Sequence, residues 1–171
     1  MSQKDLKNYL KNLKKAQLEA QILDLYKRFK DVKAYYDFAF NPKEDKLLAE
    51  CKFKITKEYF PENGRKPKAR RSVAQKYIRK FIQLGVENRI IADIMLYNIE
   101  IAQTYSSEKY IKQESFYISM LKSFEEAIIF INDNGLTSEL NERTEKIVNF
   151  TNSQNWFNKL VFERVSLLKT I

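Results

Sequence analysis

A chain of 171 residues, 44% hydrophobic and 31% charged, suits one compact domain, because folding at this size hides roughly 70% of the unfolded surface without staples. A single cysteine, Cys51, and no histidine exclude intrachain disulfides, thiolate or imidazole zinc sites and any triad that uses imidazole as its base. The isolated glycines Gly64, Gly85 and Gly135 leave no phosphate-cradling loop and no dinucleotide fingerprint, while a net charge of +9 turns attention to anionic partners.

The N-terminus carries Lys4, Asp5 and Lys7 where a secretory signal needs an unbroken apolar core. The longest apolar run, 127–131, is far shorter than the ~20 residues that cross a bilayer. The expectation is a cytoplasmic protein without a membrane partner, in a reducing compartment that suits a lone thiol.

Apolar residues recur at three and four positions almost throughout, and strand patterns are nearly missing, so the fold class is all-α, a single-domain bundle or short α-α superhelix of seven to nine helices over 1–171. Ser2 caps a first helix with Asp5 in its third position, and Leu6, Leu10 and Leu13 form one stripe. Leu18, Ile22, Leu25 and Phe29 form a second. Asp31 caps an aromatic helix with Val32, Tyr35, Tyr36 and Phe38, which stops near Asn41 because Pro42 disfavours helical geometry before it. Asn41 as cap, Pro42 in the first turn and Glu44 then start a helix through Leu47, Leu48, Cys51 and Ile55 to about Phe60.

Pro61, Asn63, Gly64 and Pro67 mark a loop. A helix over 69–84 follows, with Val73, Ala74, Tyr77, Ile78, Phe81, Ile82 and Leu84 on one half and Gln75, Lys76, Arg79 and Gln83 on the other, ended by Gly85. The helix over 86–105 is apolar all round and reads as central; Ser106 and Ser107 interrupt it. Tyr110, Tyr117, Leu121, Phe124, Ile128 and Ile131 share a face of a long helix ending at Asn134 and Gly135. Thr137 or Ser138 caps a helix over 139–150, a polar break follows at 151–154, and the last amphipathic helix covers 156–168. No fixed-period repeat or low-complexity segment is present.

The basic excess is regional. Residues 1–85 carry a net +12 and residues 86–171 a net −3, and between Asn63 and Val86 eight cations occur with no acid: Arg65, Lys66, Lys68, Arg70, Arg71, Lys76, Arg79 and Lys80. Lysine enrichment is generic here, since 23 of the 31 cations are lysine. Arginine discriminates better, because its planar fork binds phosphate or carboxylate bidentately, and four of the eight arginines lie in this segment. The loop at 61–71 precedes a helix N-terminus, whose first amides also attract anions. The competing reading is that Arg70, Arg71 and Arg79 pair with acids on neighbouring helices, such as Glu58, Asp93 or Glu100, and tie the loop to the bundle.

Other candidates are weighed the same way. Asp93 and Glu100, seven apart on the central helix, form its narrow polar stripe with Gln103. Two carboxylates can do acid and base work, but the ordinary reading is that they face solvent or the basic segment. A di-metal carboxylate bundle would also want histidines. Glu125 and Glu126 are similar and less informative. Cys51 reads as a buried thiol among Leu47, Leu48 and Ile55, since Lys52 and Lys54 alone do not make a thiolate. Most aromatics read as core, leaving Tyr35, Tyr36, Tyr59 and Phe60 as candidate exposed rings near the basic loop.

The run Asn41-Pro42-Lys43-Glu44-Asp45-Lys46-Leu47-Leu48, then Lys57-Glu58-Tyr59-Phe60-Pro61 and Gly64-Arg65-Lys66-Pro67-Lys68-Ala69-Arg70-Arg71-Ser72, resembles a family of short bacterial helical proteins carried as a domain of unknown function. That resemblance spans most of the chain and implies an all-helical protein without transferring a catalytic residue. The segment 6–26 is also loosely similar to the first hairpins of tetratricopeptide-like superhelices.

The expectation is therefore a non-catalytic interaction protein with no cofactor, metal or catalytic residue, binding an anionic macromolecule through the eight cations. An acidic protein surface or a nucleic acid, RNA or DNA, satisfies the charge. The alternative from another class is an enzyme with a carboxylate site at Asp93 and Glu100. A third reading is a scaffold that uses apolar grooves, its cations serving solubility alone.

Overall fold

The computed structural model describes residues 2–168, which form nine helices and no strand among the described residues. Contacts gather the chain into two compact units, Met1–Lys43 and Glu44–Ile171.

The first unit holds α1 (Gln3–Lys11), α2 (Lys15–Arg28) and α3 (Lys30–Phe40). Ser2 and Asp5 form the expected capping box: the Asp5 N–H donates to Ser2 Oγ at 3.3 Å, and the Ser2 N–H donates to the Asp5 carboxylate at 2.8 Å. The third helix starts earlier than Asp31 predicts. Phe29, in extended geometry, both ends α2 and precedes α3, so Asp31 lies inside the first turn, where a carboxylate still favours the helix N-terminus. Tyr26 fastens α2 to α3 by donating to Asp37 at 2.6 Å. No residue of these three helices is fully buried, and Ile22, Leu25 and Phe29 of the predicted stripe are exposed.

The second unit contains α4 (Glu44–Tyr59), α5 (Arg71–Leu84), α6 (Asn88–Glu108), α7 (Glu114–Asp133), α8 (Thr137–Ser153) and α9 (Lys159–Ser166). Helix α6 is central as its sequence implies: it packs against α4, α5, α7 and α8 and buries Ile91, Ile94, Leu96 and Ile99. Each such side chain contributes about 1.5–3 kcal/mol on full burial. Phe124 of α7 stacks on Phe162 of α9 with centroids 5.0 Å apart, and Trp156 closes this corner against Tyr117 at 5.0 Å.

Several boundaries move for local reasons. Asn41 ends α3 and α4 begins only at Glu44. Ser106 and Ser107 do not interrupt α6, because their hydroxyls donate back to the carbonyls of Gln103 and Thr104, both at 2.8 Å, and stay compatible with the helix. Tyr110 lies ahead of α7 and is exposed. Thr137 is already helical, and its hydroxyl donates to Asn132 Oδ1 at 2.8 Å rather than capping. Thr151 is fully buried inside α8; the break falls at Asn155, whose φ of 53° lets Trp156 N–H reach back to the Thr151 carbonyl at 3.1 Å. Gly85 makes the same stop after α5, with φ of 71° and Val86 N–H on the Phe81 carbonyl at 3.1 Å.

Candidate functional site

The basic loop is a clamped structure. After α4 stops, Asn63 and Gly64 turn the chain with φ of 59° and 68°. The far end is then tied to Glu58: the N–H groups of Lys68 and Ala69 both donate to the Glu58 carbonyl at 2.9 Å, and the Arg70 guanidinium forks onto its carboxylate at 2.8 and 2.9 Å. Aiming two successive amides at one oxygen turns Ala69 left-handed, with φ of 47°. A residue with a Cβ is strained there. The Arg70 fork holds the Glu58 carboxyl below its ordinary range.

The eight predicted cations divide into two groups. Arg70 and Arg71 are engaged within the molecule, as the competing reading of the sequence has it for Arg70 and Glu58. Arg71 opens α5 with its side chain only 17% exposed; Nε donates to Ser123 Oγ at 2.6 Å and Nη2 to Glu126 at 2.5 Å. Gln75, one turn on, also donates to Glu126 at 2.7 Å, so the residue predicted on the solvent half ties α5 to α7. Ile82, predicted on the apolar half, is exposed.

The other six point outward. Arg65, Lys66, Lys68, Lys76, Arg79 and Lys80 are exposed, and among the described residues no carboxylate lies within 4.0 Å of their charges. Lys76, Arg79 and Lys80 line a groove of about 760 Å³ whose other wall is Glu50 and Lys54 of α4. Lys57, one turn beyond Lys54, borders a second hollow beneath the loop with Arg65, Lys66 and Lys68. Lys57 itself pairs with Glu62 at 2.8 Å. The contribution of Lys54 and Lys57 was readable from their spacing of three on one helix face, once α4 and α5 are known to be neighbours.

Asp93 and Glu100 do not face solvent or the basic segment. Arg143 of α8, unremarked in the sequence, lies between them: Nη1 reaches Asp93 at 2.6 Å, while Nε and Nη2 fork onto Glu100 at 2.6 and 2.8 Å. Lys52 of α4 takes the other Asp93 oxygen at 2.6 Å. Burial alone would raise the Asp93 pKa, but the bonds from Lys52 and Arg143 outweigh it and hold the carboxyl below its ordinary value. A carboxylate kept ionised and bonded on both oxygens is a structural tie and a poor proton donor. Gln103, third on this stripe, is buried and donates to the Ile147 carbonyl at 2.8 Å.

Of the other candidates, Cys51 is fully buried and burial pushes its thiol up to about 12. Tyr59 is buried, against its expected exposure, and Phe60 packs edge-on against Tyr105 with centroids 5.8 Å apart. Tyr35 is exposed and Tyr36 half-buried, both within the first unit. No group of three or more potential metal-binding side chains occurs among the described residues. No helix among them is long and apolar enough to cross a membrane.

Fold and surface together define an all-α protein that carries a helical hairpin with a clamped basic loop and a cation-lined outer groove. Its family is given by comparison: residues 1–168 match the Family of unknown function (DUF6155), and the chain belongs to that family. No curated protein and no solved structure matches it.

Proposed function

We propose that this chain is a non-catalytic interaction protein that docks an anionic macromolecule on the outward cations of the α4–loop–α5 hairpin. The observation that supports it is the division of the basic segment. Arg70 and Arg71 satisfy the internal demand for charge, and six further cations remain on one hairpin without a carboxylate partner among the described residues. The clamp at Glu58 holds the loop cations in place before a partner arrives, which reduces the ordering cost of binding. A cytoplasmic setting suits the single, buried thiol.

The test is a titration of the full chain with two defined polyanions, polyglutamate and a mixed-sequence oligonucleotide. Binding should weaken with salt, and Lys76→Gln/Arg79→Gln/Lys80→Gln should lower affinity by about tenfold to a hundredfold, since three exposed cations at about 0.5–1 kcal/mol each sum to about 1.5–3 kcal/mol, with helical circular dichroism unchanged. Wild-type affinity in that variant contradicts the proposal.

A further inference from the structure

We propose that the cleft beside the basic loop is a stacking site for single-stranded RNA, with a base on Tyr110 and the flanking phosphates on the loop cations; this rests on the anion-docking reading above. The cleft, about 440 Å³, lies between Pro67–Ala69 of the loop and the segment from Tyr110 to Ser119. Its volume suits a small organic group. The two walls differ in chemistry, and the combination selects the ligand.

One wall is cationic and held still. Lys68 lines both this cleft and the hollow that contains Arg65 and Lys66, so one cationic side chain borders both depressions. The strained Ala69 and its bond to the Glu58 carbonyl fix that wall. The other wall is aromatic. Tyr110 is 87% exposed and projects from the turn between α6 and α7. Below it, Tyr105 is braced by Phe60 and Phe116, with centroids 5.8 and 6.5 Å away, and Lys109 stands over its ring at 5.5 Å. Tyr117 steadies the turn by donating to the Ile111 carbonyl at 3.1 Å.

An acidic protein surface would be recognised by the cations alone and has no use for a projecting ring. A duplex hides the faces of its bases. Single strands expose both phosphate and π-face, and proteins bind them by pairing a basic track with aromatic platforms. Gln113 and Ser115 stand exposed at the cleft, and among the described residues neither side chain has a hydrogen-bond partner. They supply donors and acceptors for the ribose 2′-hydroxyl, the group that separates RNA from DNA.

The experiment is an anisotropy titration of the full chain with a labelled mixed-sequence RNA of about 12 nucleotides, within the site sizes of single-strand binders. The DNA of the same sequence, a duplex and polyglutamate of matched charge are run beside it. RNA should bind most tightly, with a log–log salt slope of about −2 to −3 for three to four phosphates. Tyr110→Ala should weaken RNA binding about tenfold or more, the loss of one stacked base, while Tyr110→Phe retains it and neither variant changes polyglutamate binding. RNA binding no tighter than DNA, duplex or polyglutamate, or unaffected by Tyr110→Ala, overturns the RNA assignment and leaves the anion surface standing. Failure of every polyanion to bind overturns both.

Discussion

The guanidinium of Arg143 closes a fork on the Glu100 carboxylate, Nε to Oε1 at 2.6 Å and Nη2 to Oε2 at 2.8 Å, and with its third nitrogen holds Asp93. One side chain thus joins α8 to two positions of the central helix two turns apart. Arg143→Met should leave those carboxylates with Lys52, on Asp93, as the one remaining paired cation among the described residues. Breaking a buried pair costs about 3–5 kcal/mol; with the side chains about a quarter to a third exposed, the expected loss is about 2–3 kcal/mol. Urea unfolding reads it directly.

The same network sets an acid limb. Asp93 and Glu58 both have folded pKa values below their ordinary 3.8 and 4.5. A depressed carboxyl stabilises the fold above its unfolded pKa, and that contribution is lost as pH falls through the folded value. The melting temperature should therefore drop steeply below about pH 4.5. Arg143→Met and Arg70→Met should each start lower and fall less steeply there, and an unchanged slope in both would contradict these pairings.

Ala69 offers an opposite sign. Its left-handed φ of 47° carries a Cβ penalty that glycine avoids. After glycine's extra freedom in the unfolded chain is deducted, Ala69→Gly should stabilise by about 0.5–1 kcal/mol. The check is the denaturation midpoint, and a midpoint that falls would contradict the strain described at this position.

Cys51 should be inert while the chain is folded. With its thiol buried and pushed up to about 12, labelling by a disulfide reagent at pH 8 should wait for opening of the fold and become complete in denaturant. Rapid native labelling would contradict the packing of α4.

Much of the helical order was legible because it is local. Ser2 with Asp5, the stop at Gly85 and the all-apolar face pattern of α6 each depend on residues within a few positions, and all three stand in the structure. Errors arose where a side chain reversed a local preference, as when Ser106 and Ser107 bonded back into the helix, or where Asn155 supplied the turn expected of a polar run. The site was legible only as a segment. Arg71 and Arg79 look alike in sequence, and what separates them is Glu126, 55 residues beyond Arg71 and brought there by packing of α7 on α5. Arg143 gave no signal at all, since a lone arginine among the polar residues of α8 becomes informative only when Asp93 and Glu100 are seen opposite it.

That partition also predicts how the arginines respond to truncation. Arg71→Ala removes the guanidinium from Ser123 and from Glu126, which keeps only the Gln75 amide, and should cost about 1–3 kcal/mol, while Arg79→Ala should stay within about 0.5 kcal/mol of wild type. Equal effects in chemical denaturation would mean that the two side chains do not differ as described.

The most direct measurement is the salt dependence of polyanion affinity in the wild type and in a variant with Arg65, Lys66, Lys68, Lys76, Arg79 and Lys80 all changed to Gln. With three to six of these cations on the partner, the wild-type log–log slope should be about −2 to −5, depending on strandedness, and should approach zero in the variant, alongside loss of affinity and an unchanged helical spectrum. A variant that binds with the wild-type slope and strength would show that the hairpin's outward charge is not what meets the partner.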